Sequence, residues 1–275
     1  MSRVLEVAAV TKTFRSGGPW GETVRAVDDV SLSVPNKPTI LSLVGESGSG
    51  KTTLARLVLG LLRPTQGTIR VGDYEVGRLR GRGARRAFMR DVQPIFQNPY
   101  DTFNPVRPVT DALFETAQNL VDSSRQKAEL LVAEALGVVG LELSEVAGKY
   151  QNAFSGGQLQ RLSVARALIP KPKLIVADEP VSALDASLRM TVVNLFAKLR
   201  DTLGISFVYV THDLSTAYYI SDQVAIMHHG KVVEAGAAER VLTKPEHDYT
   251  RHLVAAIPQV GVKWDENVSE PAGVG

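Results

Sequence analysis

"GESGSGKTT", Gly45 to Thr53, decides how this chain is read. It follows a short apolar run, "TILSLV" from Thr39 to Val44, and opens a helical run from Lys51 to Leu62 that stops before Pro64. Strand, glycine loop and helix in that order cradle phosphate, because glycines turn backbone N–H groups inward and the helix N-terminus faces the anion. Gly45, Glu46, Ser47, Gly48, Ser49, Gly50, Lys51, Thr52 and Thr53 are therefore expected to line a nucleotide phosphate site. Lys51 is expected to reach the outer phosphates, and the Thr52 hydroxyl to sit on Mg2+.

A second half for such a site stands further on. "KLIVADEP" delivers Asp178 and Glu179 at the end of an apolar strand, where adjacent side chains diverge and take different tasks. Asp178 is expected to hold Mg2+ through water, and Glu179 to orient and polarise an attacking water. Gln97, just after the strand "VQPIF", is expected to touch a magnesium-bound or attacking water. His212, after "ISFVYV", is expected to reach the terminal phosphate from the far side. Phe14 is expected to stack on adenine, with Trp20 as the competing aromatic. His228 and His229 read as a plain turn, and the arginine-rich stretch from Arg78 to Arg90 as a solvated helix and loop.

The elements around these motifs set the architecture. Val4–Val10 and Val27–Val34 read as strands, and "GTIRVGDYEV" and "QVAIMHHGKVVEAG" as hairpins. From Arg107 to Gly148 the pattern is almost wholly helical; strand and helix then alternate, implying a largely parallel sheet covered by helices. The 275 residues include no cysteine, which removes disulfides, thiolate metal sites and cysteine nucleophiles. A net charge of +2 does not by itself argue for nucleic acid. Glu6 and Lys12 interrupt the apolar N-terminus, so no export signal is expected, and "LVLGLL" is far too short to span a bilayer.

"FSGGQLQR", Phe154 to Arg161, adds something a single phosphate site does not need. Ser155, Gly156, Gly157 and Gln158 open a helix ending near Pro170, and such a start offers backbone N–H groups to an anion. Two helix-terminus phosphate sites in one chain suggest a nucleotide shared head to tail between two copies, one giving the loop and the other giving "SGGQ".

With these residues in order, the chain resembles the ATP-binding cassette family. The resemblance covers nearly all of it and implies an α/β fold: a P-loop NTPase ABC ATPase with a RecA-like mixed sheet core, an antiparallel β subdomain and an inserted α-helical subdomain. It implies a Walker A loop at Gly45–Thr52, a Q-loop at Gln97, a signature at Ser155–Gln158, a Walker B strand at Leu174–Asp178, a catalytic glutamate at Glu179, a D-loop "SALD" ending at Asp185, and a switch histidine at His212. On this reading residues 1–96 and 161–235 form the ATPase core, 97–160 the helical subdomain and 236–275 a C-terminal extension.

"VGESGSGKTT", "IFQNPYDTFNP", "FSGGQLQR", "ADEPVSALDAS" and "PEHDYTRHLVAAIP" resemble, more narrowly, the ATPases of peptide, nickel and oligosaccharide importers. In the last of these Tyr249, Leu253 and Ile257 fall on one helical face. "KYQNAFSGGQ" lacks the Pro-His usual before the signature, and Phe154 replaces the commoner leucine. The resemblance implies ATP and Mg2+ as cofactors, a second ATPase that is more often different than identical, two membrane permeases and an extracytoplasmic solute-binding protein. It places the chain on the cytoplasmic face of the inner membrane, with Asn98–Pro105 lining the groove for a permease helix. The alternative is a soluble cassette ATPase acting on DNA or ribosomes; such proteins carry coiled coils, zinc-binding cysteines or paired cassettes, which this sequence lacks, so no nucleic-acid partner is expected.

Overall fold

The computed structural model describes residues 3–15 and 23–256, so Trp20 and Ile257 lie outside it. β1 (Arg3–Arg15) and β2 (Thr23–Pro35) are longer than their apolar cores suggest. They pair antiparallel with several register shifts, the middle ones at bulges around Ala9 and Asp29, both at positive φ. The Ala9 N–H donates to Ser31 Oγ there (2.9 Å). β3 (Ile40–Val44) is buried at every position, as a central parallel strand must be. α1 (Lys51–Val58) stops short of Leu62 because Gly60 turns left-handed (φ 68°) and its N–H donates to Leu57 O.

β4 (Gln66–Val71) and β5 (Tyr74–Glu75) form the expected hairpin and complete a four-stranded antiparallel sheet in the order β2-β1-β4-β5. The arginine-rich stretch becomes α2 (Gly81–Asp91), anchored by one buried residue, Phe88, with its arginines exposed. β6 (Val92–Ile95) precedes a helical run: α3 (Val109–Leu120), α4 (Arg125–Val138) and α5 (Leu143–Val146). α6 (Gly156–Leu168) follows, continuous across the 160/161 boundary read from the sequence.

β7 (Leu174–Asp178), α7 (Ala186–Leu203), β8 (Ser206–Thr211), α8 (Leu214–Ile220), β9 (Gln223–His228) and β10 (Lys231–Ala237) then alternate as read. They build a six-stranded sheet in the order β10-β9-β3-β8-β7-β6, parallel except for the edge strand β10. α9 (Ala238–Thr243) and α10 (Asp248–Ala255) end the described chain.

Three apolar clusters hold this together. Leu113, Val132 and Leu162 of the helical run share a core with Ile175, Phe207 and Tyr209 on one face of the six-stranded sheet. Leu54 and Leu57 of α1 fill the space between its other face and the antiparallel sheet. Val44, Leu214 and Val241 form a smaller cluster that carries Tyr249 and Leu253 of α10. Parallel pairing has one consequence for chemistry: the loops after β3, β6, β7 and β8 all leave from the same edge.

Candidate functional site

The phosphate loop is shaped by close backbone approaches. A Cβ on Gly45 would lie 2.2 Å from Met227 O, and one on Gly50 would lie 2.3 Å from Ala26 O, where Gly50 also has φ +102°. Only glycine fits either position. Gly50→Ala is expected to combine left-handed strain of about 1–3 kcal/mol with a backbone collision. MgATP affinity should fall about tenfold or more for each 1.4 kcal/mol carried into the loop, as titration calorimetry beside a thermal melt would show.

Lys51 at the start of α1 is only 4% exposed. Its Nζ donates to Gly45 O and Glu46 O (both 2.7 Å) and to Ser49 Oγ (3.4 Å), so the ammonium is held by the loop it serves. Burial lowers its pKa, opposed by the charges of Glu179, Asp178 and Glu46. Those acids keep a cation poised beside the cradle.

Across from it, the Thr52 hydroxyl donates to Asp178 Oδ1 (3.1 Å). Burial pushes the Asp178 carboxyl up, partly offset by the Thr52 hydrogen bond. A hydroxyl and a carboxylate from two elements therefore meet, a hard-oxygen pair of the kind that Mg2+ prefers. The residues present fit that ion.

Glu179 points elsewhere. It sits at φ 46°, a left-handed conformation uncommon for a side-chain-bearing residue. The turn is fixed by its N–H donating to Val210 O (2.9 Å) and by Ser182 Oγ donating to its carbonyl (3.0 Å). Gln97 Nε2 donates to Glu179 Oε2 (3.3 Å), and His212 Nδ1 lies 3.2 Å from the same oxygen. The carboxylate is 18% exposed while the imidazole is 59% exposed, so the acid is sheltered and the histidine faces the opening. Three strand ends thus converge on one carboxylate oxygen.

Ser155 and Gln158 cap α6 reciprocally: Gln158 N–H donates to Ser155 Oγ (3.3 Å), and Ser155 N–H donates to Gln158 Oε1 (2.9 Å). The sequence offers this start as a set of free N–H groups; the capping box takes two of them. The N–H groups of Gly156 and Gly157, first in the helix, remain at its open end. Among the described residues no hydrogen bond or ion pair joins Ser155–Gln158 to Gly45–Thr53 of the same chain. Asp185 caps α7, its Oδ1 accepting from Leu188 N–H (3.0 Å) and Ser187 Oγ (2.8 Å), and the Leu188 bond chiefly holds its pKa low.

Phe14, 41% exposed on β1, offers a ring face, with Lys12 Nζ 5.1 Å from its centroid. His228 and His229 lead into the β9–β10 turn as read, and His228 also stacks on Tyr249, which the sequence does not show. One further link escaped the sequence. Arg189 Nη1 of α7 pairs with Asp213 Oδ2 (3.1 Å), tying the helix after Asp185 to the residue after His212. Asp213 also caps α8, accepting from Ser215 N–H (2.9 Å).

Residues 27–182 match the profile of the ABC transporter family. The oligopeptide transport ATP-binding protein OppF of Bacillus subtilis is 40% identical over 96% of this chain and 86% of its own length. The oligopeptide transport ATP-binding protein OppD of Mycobacterium tuberculosis is 43% identical over 94% of this chain, which spans 42% of that relative. Among solved structures, the ATP-binding cassette MJ0796, dimeric in a post-hydrolysis state with ADP and Pi, matches with a TM-score of 0.72. That match covers 85% of this chain and 98% of the other at 27% identity.

Proposed function

The chain belongs to the ABC transporter family, and from that premise we propose that it is the ATP-hydrolysing subunit of a peptide importer. The observation that carries the reading is the convergence of Gln97, Glu179 and His212 beside the Lys51 loop and the Thr52–Asp178 pair. Thr52 and Asp178 would hold Mg2+, which would supply positive charge against the charge that builds on the phosphates. Glu179 holds a water with the Gln97 amide and accepts its proton as the water oxygen attacks the γ-phosphorus. The bond to the bridging oxygen breaks, and ADP and phosphate leave. Lys51 exchanges the Gly45 and Glu46 carbonyls for the outer phosphates, and His212 contacts the γ-phosphate from the open side. Phe14 supplies the adenine face.

In this proposal the signature serves a neighbouring cassette. Ser155–Gln158 has no polar contact with its own loop, so the open end of α6 is free to meet a nucleotide held by a second cassette. That cassette is proposed to be a different chain, since relatives of comparable identity carry two names, OppD and OppF. The other partners are two permeases and a solute-binding protein outside the cell, with this chain on the cytoplasmic face of the membrane. Among the described residues no helix is long and apolar enough to cross a membrane.

A cleft of about 460 Å³ lies between α2, α3 and α6, lined by Leu61, Phe88, Met89, Phe96 and Leu120 among others. Of Asn98–Pro105, only Thr102 lines it. We assign this cleft to a permease helix; Gln97, next to Phe96 in the chain, joins it to Glu179.

Capture of the chain from its native membranes in mild detergent tests the reading. Two permeases, a second ATPase and MgATP hydrolysis are expected together. Ribosomes or DNA enzymes in their place would sink it.

A further inference from the structure

The C-terminal extension reaches the phosphate loop from outside. The Glu46 N–H donates to the Tyr249 hydroxyl (3.2 Å), across 203 positions of sequence. The Tyr249 ring stacks on His228, centroids 3.8 Å apart and planes 27° apart. Beside it, in the β9–β10 turn, Gly230 N–H donates to Ser49 O (3.0 Å). The outer wall of the loop is therefore the end of β9 together with one tyrosine from α10.

That tyrosine is firmly placed. Glu234 of β10 accepts from the N–H groups of Glu246 (3.0 Å) and His247 (3.1 Å), fixing the approach to α10. His247 Nδ1 accepts from Tyr249 N–H (3.1 Å), and the next residue, Thr250, is fully buried. Arg251 Nη2 closes the turn on Glu246 O (2.8 Å).

The backbone of Glu46 is thus held on both sides of its Cα. Its carbonyl accepts from Lys51 Nζ (2.7 Å) and Ser49 N–H (3.2 Å), while its N–H is held by Tyr249. When Lys51 turns to a phosphate, the carbonyl loses its strongest donor, and Tyr249 still holds the peptide from behind. We propose that Tyr249 is a positioning residue for ATP binding, its hydroxyl keeping the Glu46 end of the phosphate loop in the shape that receives phosphate. The proposal rests on Gly45–Thr53 being an ATP cradle, which MgATP binding by the unaltered chain tests separately.

Tyr249→Phe keeps the ring stack and removes only the hydroxyl. One net hydrogen bond corresponds to roughly a two- to tenfold change, and here it appears as weaker MgATP binding, because a loop no longer preorganised must be ordered on binding. The dissociation constant is expected to rise about three- to tenfold, with kcat nearly unchanged at saturating ATP and the melting temperature held. Amide exchange should quicken at Glu46 and not along β9. Leu253→Ala is the comparison, since it loosens the packing of α10 without touching the hydroxyl. It should lower the melting temperature and leave MgATP affinity alone. An unchanged dissociation constant in Tyr249→Phe would overturn the proposal, and so would an equal loss of affinity in Leu253→Ala, which would make the extension a general support.

Discussion

Replacing Glu179 with glutamine is expected to lower ATP hydrolysis at the site it lines by about 10²–10⁴-fold, the usual contribution of a positioned proton acceptor, while MgATP binding survives. The exchange is nearly isosteric. The amide oxygen of glutamine still accepts from Gln97 Nε2 and still lies beside His212 Nδ1, since both groups stand at one oxygen of the native carboxylate. The left-handed turn at this position is held through the backbone of Glu179 itself, by Val210 O and Ser182 Oγ, so it is untouched. What disappears is a base able to take a proton from water, together with one negative charge facing a polyanionic substrate. Affinity for ATP should hold or rise as turnover falls. Phosphate release under single-turnover conditions, beside nucleotide binding on the same sample, reads both quantities. Sustained hydrolysis at the native rate would move the role of base to another group, His212 first.

The main features of the site could be read from sequence because each follows an apolar strand. "TILSLV" leads into the loop, "LIVAD" into Glu179, "VQPIF" into Gln97 and "ISFVYV" into His212. Once β3, β8, β7 and β6 lie parallel in register, with Val44 beside Thr211 and Asp178 beside Val210, those endings must meet at one edge. Local pattern and sheet geometry were enough for that inference.

Contacts that depend on packing between distant segments were not legible. Lys51 turning back onto Gly45 and Glu46 depends on loop curvature that no residue spacing encodes. The reach of Tyr249 to Glu46 depends on where α10 docks, although the shared helical face of Tyr249 and Leu253 signalled that it docks somewhere. Likewise, leucines and valines at helical spacing mark the segment between Arg107 and Gly148 as helical, yet nothing in its periodicity says that it shares a core with Phe207 and Tyr209. The ends of elements also shifted where a single turn decided them, as Gly60 does for α1.

Gly156→Asp is expected to separate the two phosphate sites proposed for the chain. The fold has room for it: a Cβ on Gly156 meets Leu184 Cδ2 at 3.6 Å, an ordinary contact, whereas one on Gly157 meets Leu188 Cδ1 at 3.0 Å. An acidic residue in the first turn of α6 also suits the helix dipole, so the melting temperature should hold or rise slightly. The new carboxylate stands where the helix would face a phosphate. Binding of MgATP to the variant's own loop should be nearly unchanged, since no hydrogen bond or ion pair links Ser155–Gln158 to that loop. Hydrolysis at the site completed by this signature should fall about a hundredfold or more, comparable to losing a charge-stabilising donor. The same variant reports what the chain pairs with. In an assembly of two copies, Gly156→Asp alone silences both sites. In an assembly with a different cassette, only the partner's nucleotide is affected, turnover at this chain's loop survives, and adding Glu179→Gln removes the remainder. Weakened ATP binding by the isolated Gly156→Asp chain would instead mean that the signature serves its own loop, and the shared-nucleotide arrangement would fail.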